Sequence, residues 1–310
     1  MSIPFADLFF LATLESPRHG LRYLGPTLRG AFGYVLKEAV CQVSHGQCEH
    51  CVLRQVCPYP TIFEGRPPED RTLMRRYPAV PQPFVLVVAG PSDWWGRPDE
   101  LRWGLRLFGP ARHQWPYLIE AFTRVGSRGI GRQRTRFDLK SVVDARSGQA
   151  VWSAGETTLR NVTQEDQAHH GKPPPNSDVL RWTFETPVHI RQNGDFASSL
   201  GGLSLVLAGR RRWDILRYLY SSQERSENAT NAGAHLKASD FEVLESSLKP
   251  WSIRRYSGRQ GKKVPLRGLI GQIVIRGAWD QAGDWLRYIQ QIHLGKHGSF
   301  GFGRGTWAAL

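Results

Sequence analysis

The sequence predicts an α+β protein made of two ferredoxin-like (βαββαβ) halves in tandem. Three observations lead there. Apolar runs of strand length alternate with segments whose apolar residues recur at helical spacing. A heptamer occurs twice, as Gly126-Ser127-Arg128-Gly129-Ile130-Gly131-Arg132 and as Gly298-Ser299-Phe300-Gly301-Phe302-Gly303-Arg304, with five of seven residues identical. Each copy follows the second helix of its half and precedes the last strand. Such a match at equivalent places marks an internal duplication.

The elements follow in order. Residues 5–14 (FADLFFLATL) read as an apolar strand. Gly25-Pro26-Thr27 opens a helix, because proline fits the first helical turn, where its missing N–H costs nothing. Leu28, Phe32, Val35, Leu36 and Ala39 fall on one face of it. Residues 84–89 and 100–108 read as two strands, and Trp115-Pro116 starts a second helix with Leu118, Ile119 and Phe122 on its apolar face. A Gly/Arg-rich loop at 126–134 leads into a strand near 135–143, which completes βαββαβ. The N-terminal domain is expected over 1–166, with a Cys-rich insertion at about 41–57. Residues 167–178 (QAHHGKPPPNSD) read as a linker, and the second domain is expected over 179–310. There the order repeats: a strand at 180–190, a helix at 203–220, a polar insertion at 221–239 and a long hairpin with arms 241–256 and 266–276. A helix at about 279–292 and a short strand at 306–310 close the half.

Composition bounds the function. In 310 residues, 41 Lys+Arg stand against 27 Asp+Glu, a net charge of +14. A hydrophobic fraction of 40% with 11% aromatics supports a packed core and excludes global disorder. No run approaches the ~18 apolar residues of a membrane helix. The opening MSIPFADLFFLATLE lacks a basic n-region, so the expectation is no signal peptide and a cytoplasmic protein. Of the 41 basic residues, 33 are Arg. Arg binds phosphate through a planar bidentate fork and stacks on bases, so a nucleic acid is the expected partner.

The duplicated glycine loops suit a polyanion, since backbone N–H groups can approach it where no Cβ intervenes. Arg128, Arg132, Arg134 and Arg136 accompany the first copy; Lys296, Ser299 and Arg304 accompany the second. Neither copy is a Walker loop or a dinucleotide fingerprint, because the lysine-serine ending and the preceding strand are missing. Arg210 and Arg211 sit on an expected helix, and Arg254, Arg255, Lys262, Lys263 and Arg267 on the expected hairpin. All are candidate nucleic-acid contacts.

The four cysteines, Cys41, Cys48, Cys51 and Cys57, are spaced C-x6-C-x2-C-x5-C. Four clustered thiols in a cytosolic chain read as one tetrahedral metal site, with zinc preferred, an iron–sulfur cluster second, and four reduced thiols as the plain alternative. Such a site is closed and structural, because four protein ligands leave no open position for water. No paired-carboxylate pattern suits two-metal nuclease chemistry, so no catalytic metal is expected.

These residues together resemble the CRISPR-associated endoribonucleases that process precursor CRISPR RNA, within the repeat-associated mysterious protein (RAMP) superfamily. The matching pieces are Leu28-Arg29-Gly30-Ala31-Phe32-Gly33, the cysteine block ending Cys57-Pro58-Tyr59, Pro83-Phe84-Val85-Leu86, residues 126–136, and His293-Leu294-Gly295-Lys296-His297 running on through the second heptamer. That last stretch is similar to the superfamily's C-terminal glycine-rich signature, and the cysteines to a branch with a four-Cys insertion. The resemblance implies two RAMP/RRM-like ferredoxin domains and metal-independent cleavage within a CRISPR repeat. The ribose 2′-OH attacks the neighbouring phosphate, leaving a 2′,3′-cyclic phosphate and a 5′-OH. The family often carries a catalytic His near the first helix. Here no His lies within that helix, so His19 before it and then His45 after it are the candidate bases, with Arg29 and Lys296 as electrostatic candidates. The implied partners are repeat RNA and precursor crRNA, with subunits of a CRISPR effector complex as further partners. A non-catalytic guide-RNA-binding subunit is the alternative, and a zinc-stabilised DNA-binding protein a third reading.

Overall fold

The computed structural model describes residues 3–17, 23–43, 48–65, 74, 80–91, 93, 96–163, 175–221, 235–257 and 261–310. His19, His45, most of the expected linker and most of the polar insertion after residue 221 lie outside them. Two units divide the chain: Met1–Gln167 with Leu216–Glu227, and Ala168–Ile215 with Asn228–Leu310.

The first unit is built from β1 (Phe5–Leu14), α1 (Leu24–Val40), β2 (Phe84–Val87), β3 (Glu100–Phe108), α2 (Pro116–Arg128), β4 (Phe137–Asp144) and β5 (Ala150–Ser153). Its sheet runs in the order β2-β3-β1-β4-β5, with every neighbouring pair antiparallel. The first four strands in that order make the ferredoxin-like arrangement, and β5 adds a hairpin. Ala6, Leu8, Phe10, Ala12 and Leu14 alternate along β1 and are all buried. That period-2 stripe is what packs a sheet against its helices. Phe10 stacks on Trp103 at 5.1 Å and Phe32 of α1 on Phe122 of α2 at 5.1 Å, so the core is a chain of aromatic rings. The opposite face of β1 carries Asp7, ion-paired with Arg106 of β3, both almost wholly buried.

The second unit contains β6 (Val179–Val188), a short ribbon of β7 (Arg191–Gln192) and β8 (Asp195–Phe196), and α3 (Gly202–Tyr220), whose last turn belongs to the first unit. It continues with β9 (Phe241–Ser246), β10 (Lys249–Ser257), β11 (Lys262–Gly277), α4 (Ile289–Ile292) and β12 (Gly305–Ala309). The sheet order β10-β11-β6-β12, with β9 also on β11, repeats the first unit's ladder. Two expectations change. The first hairpin arm is two strands, β9 and β10, each paired to its own stretch of β11, and the break between them faces Gly271, which sits at φ +123 with the Ser247 carbonyl where a Cβ would be. The expected helix at 279–292 is two 3-10 turns and one short helix, broken at Gly283, whose φ of +105 no right-handed helix accepts. The apolar face is still delivered: Trp279, Trp285, Leu286 and Ile289 are all buried, and Trp182 stacks on Trp285 at 5.8 Å. No helix among the described residues is long and apolar enough to cross a membrane.

Candidate nucleic-acid interface

In the second unit the glycine-rich signature crosses the end of β6. Lys296 N–H donates to the His189 carbonyl at 2.9 Å, and Gly303 N–H to the Pro187 carbonyl at 2.9 Å. Gly303 sits at φ +74, and a Cβ there would collide with the Leu294 carbonyl. Glycine is therefore obligatory at that point. Arg304 is ion-paired with Glu185 of β6, and its amide donates to Thr186 Oγ1 at 2.9 Å. Ser299 is buried within a 3-10 turn. These two candidates thus shape the loop, whereas Lys296 is exposed beside it. His293 is buried, with Nδ1 3.0 Å from the Phe302 carbonyl.

The hairpin β10–β11 sorts its charges by register. Ser252 pairs with Arg267, Arg254 with Pro265 and Tyr256 with Lys263. Directly paired residues share a face, so Arg254, Tyr256, Lys263 and Arg267 line one side, and all four are exposed. Cations around an exposed tyrosine have the chemistry that single-stranded nucleic acid can stack on. Lys262 is exposed at the start of β11. Arg255 turns to the other side, half-buried, its guanidinium 4.6 Å from the Phe300 ring centroid. Burial lowers its pKa. On α3, Arg211 is exposed and Arg210 half-buried.

The first copy of the heptamer differs. Gly126, Ser127 and Arg128 are the last turn of α2, not loop. Arg128 bonds both oxygens of Glu38 on α1, at 2.6 and 2.5 Å. This contact holds the Glu38 carboxyl below its usual range and raises Arg128. Arg132, Arg134 and Arg136 are exposed, and Arg134 adopts a left-handed φ of +53. Arg29 is half-buried on α1 with its guanidinium 4.5 Å above Phe63. Its guanidinium stacks on a ring of its own unit.

The four cysteines are free thiols that line one cavity of about 310 Å³ with Lys37, Tyr59 and Tyr117. Burial pushes the Cys48 and Cys57 thiols up. Among the described residues, no group of three His, Cys, Asp or Glu side chains is arranged to hold a metal ion.

One group escaped the sequence reading. His189, just after β6, is half-buried with Nδ1 2.8 Å from the Arg267 carbonyl. A carbonyl only accepts, so Nδ1 carries the proton and Nε2 is left as an acceptor. Its ring lies 4.9 Å from that of His297 and 5.2 Å from that of Phe196. Burial lowers its pKa; the charges of Lys296 and Arg191 act in the same direction, against the bond to Arg267. No sequence signal marks it, because its partners come from distant segments.

Comparison with known proteins follows the two halves. A family model described as an N-terminal domain matches residues 3–166, and a model of the CRISPR-associated endoribonuclease Cas6 matches residues 182–305. An uncharacterized protein of Archaeoglobus fulgidus is 27% identical over 299 residues, 94% of each chain. Among solved structures, the fold is similar to a Cas6 (TTHB231) product complex, with a TM-score of 0.57 and 16% identity over 99% of this chain and 100% of that one. The same protein, Thermus thermophilus Cas6, matches in a second structure with a TM-score of 0.54 and 15% identity over 99% of each chain. A Cas6 (TTHA0078) substrate mimic complex matches at 0.50 and 17%, over 99% of this chain and 100% of that one.

Proposed function

We propose that the chain is a Cas6-type CRISPR-associated protein and that it matures precursor CRISPR RNA by cutting within the repeat. The observation that carries this reading is the match of residues 182–305 to the Cas6 endoribonuclease model. That span contains the glycine-rich loop, Lys296 and the basic face of the hairpin. The reaction is attack of the ribose 2′-OH on the adjacent phosphate. The 2′-oxygen bonds to phosphorus, the P–O5′ bond breaks, and the products end in a 2′,3′-cyclic phosphate and a 5′-OH. This chemistry needs a base, an acid and positive charge at the phosphorane, and no metal. Exposed Arg132, Arg134, Arg136, Arg254, Lys263 and Arg267 suit phosphate neutralisation. His19 stays a candidate base.

The test is incubation of the source genome's repeat transcript with the protein in EDTA. Site-specific cutting, blocked by a 2′-deoxy at the scissile nucleotide, supports the proposal. Tight binding without product overturns it in favour of a guide-RNA clamp. Zinc at Cys41, Cys48, Cys51 and Cys57 is a separate proposal, supported by their common cavity. Metal analysis tests it, and unchanged zinc content after replacing all four cysteines refutes it.

A further inference from the structure

Two imidazoles and an amine meet where β6 ends. His189 forms bridge contacts with Gly295 and Lys296, so backbone pairing fixes its position against the loop. The His297 ring stands edge to face with the His189 ring, at 70° and a centroid distance of 4.9 Å. His297 itself is held at φ +69, a left-handed conformation rare for a residue with a Cβ. The turn that follows keeps it there: the amides of Phe300 and Phe302 donate to its carbonyl at 2.8 and 3.3 Å. Strain retained at a residue with acid–base chemistry is a pointer to function.

We propose that His189 and His297 are a base–acid pair for cleavage of an RNA phosphodiester, with Lys296 as the cation beside the reacting phosphate. The assignment rests on the endoribonuclease reading above and names its residues. His189 has the form a base needs. Its Nδ1–H is fixed on the Arg267 carbonyl, so Nε2 accepts. Burial keeps the ring neutral to lower pH than an ordinary histidine. The groups around it are the Arg267 backbone of β11, Arg191 of β7, Phe196 of β8, and Lys296 and His297 of the loop. No carboxylate is among these neighbours to hold a proton on the ring.

The step balances. Nε2 of His189 takes the 2′-OH proton as the 2′-oxygen bonds to phosphorus. The P–O5′ bond breaks, and an imidazolium at His297 gives its proton to the departing 5′-oxygen. One proton enters the pair and one leaves it, and exchange with solvent resets both rings. Lys296 offsets the charge that builds on the phosphorane.

The experiment compares the parent with His189→Ala, His189→Gln, His297→Ala and His19→Ala under single turnover on the source genome's repeat transcript. A second transcript carries a 5′-bridging sulfur at the scissile position, whose thiolate departs without an acid. His189→Ala is expected to cut about 10²–10⁴-fold more slowly. Its affinity for a 2′-deoxy repeat should stay within about threefold of the parent's, since only the transition-state interaction is lost. His297→Ala should recover on the sulfur RNA and His189→Ala should not, a difference that a purely structural role cannot produce. The parent's rate should fall at acid pH with a midpoint below the ordinary histidine value, a limb absent in His189→Gln. If His189→Ala melts early, the His189→Gln profile decides. Full activity of the His189 variants, recovery of both variants on sulfur, lost RNA affinity, or a cutting defect confined to His19→Ala overturns the assignment while leaving the endoribonuclease reading intact. A parent that cuts no RNA overturns both.

Discussion

Gly303→Ala should destabilise the second unit, and the size of the effect can be worked from its surroundings. The residue sits at φ +74, where an added Cβ meets the backbone oxygen and nitrogen of Leu294. Neither belongs to a side chain that can rotate away. A left-handed conformation costs a non-glycine residue about 1–2 kcal/mol. If the segment moves to relieve the collision, it loses two backbone hydrogen bonds, Gly303 N–H to Pro187 and Leu294 N–H to Gly303, at 2.9 and 2.8 Å. Each is worth about 0.5–1.5 kcal/mol. The sum is about 2–5 kcal/mol, and at about 2–4 °C per kcal/mol it lowers the melting temperature by roughly 4–20 °C. Gly30→Ala is the control. It lies exposed on α1 with nothing within 4 Å of the added Cβ. Ala there should stabilise the helix by about 0.5–1 kcal/mol. The assay is thermal and urea unfolding of all three proteins. A Gly303→Ala protein within about 0.5 kcal/mol of the parent, the ordinary range of a neutral surface change, would refute the argument from backbone collision.

Asp7→Ala should cost about 3–5 kcal/mol in urea unfolding, because it leaves Arg106 buried without its carboxylate; a loss near zero would mean that water reaches the pair. Arg132→Ala should weaken RNA binding and shrink the salt slope by about 0.7 per contact. Arg128→Ala should leave that slope unchanged, since Glu38 already neutralises the guanidinium; anisotropy across a salt series separates the two. Burial disfavours the Asp144 carboxylate, but hydrogen bonds outweigh it, among them the Thr163 and Arg146 amides at 2.8 and 3.0 Å, so its pKa is lowered. Its contribution is therefore present above the unfolded carboxylate value, about 3.9, and lost as pH falls through the lower folded value. Asp144→Asn should flatten the acid side of the stability curve in that window, and an unchanged curve counts against it.

The fold was largely legible in residue order. β1, β3, α1 and α2 begin and end close to where apolar period and proline placement put them, since those signals are local. The segment 279–292 shows the limit. Its apolar spacing is helical, yet Gly283 adopts a φ that breaks the helix, and tertiary burial of Trp279 and Trp285 holds the turns that replace it. The candidate site was legible only in part. Lys296 stands out beside the glycine signature, but nothing local distinguishes Arg132, which is exposed, from Arg128, which Glu38 occupies.

By itself, then, the sequence determined the duplicated βαββαβ order, the arginine-rich charge and the glycine loop, because each follows from residue type and near-neighbour spacing. Only the tertiary structure decided which cations are available and which are tied to carboxylates. It alone brought His189 against His297 and Lys296, because β6 and the loop meet through backbone pairing between segments that no short-range pattern connects.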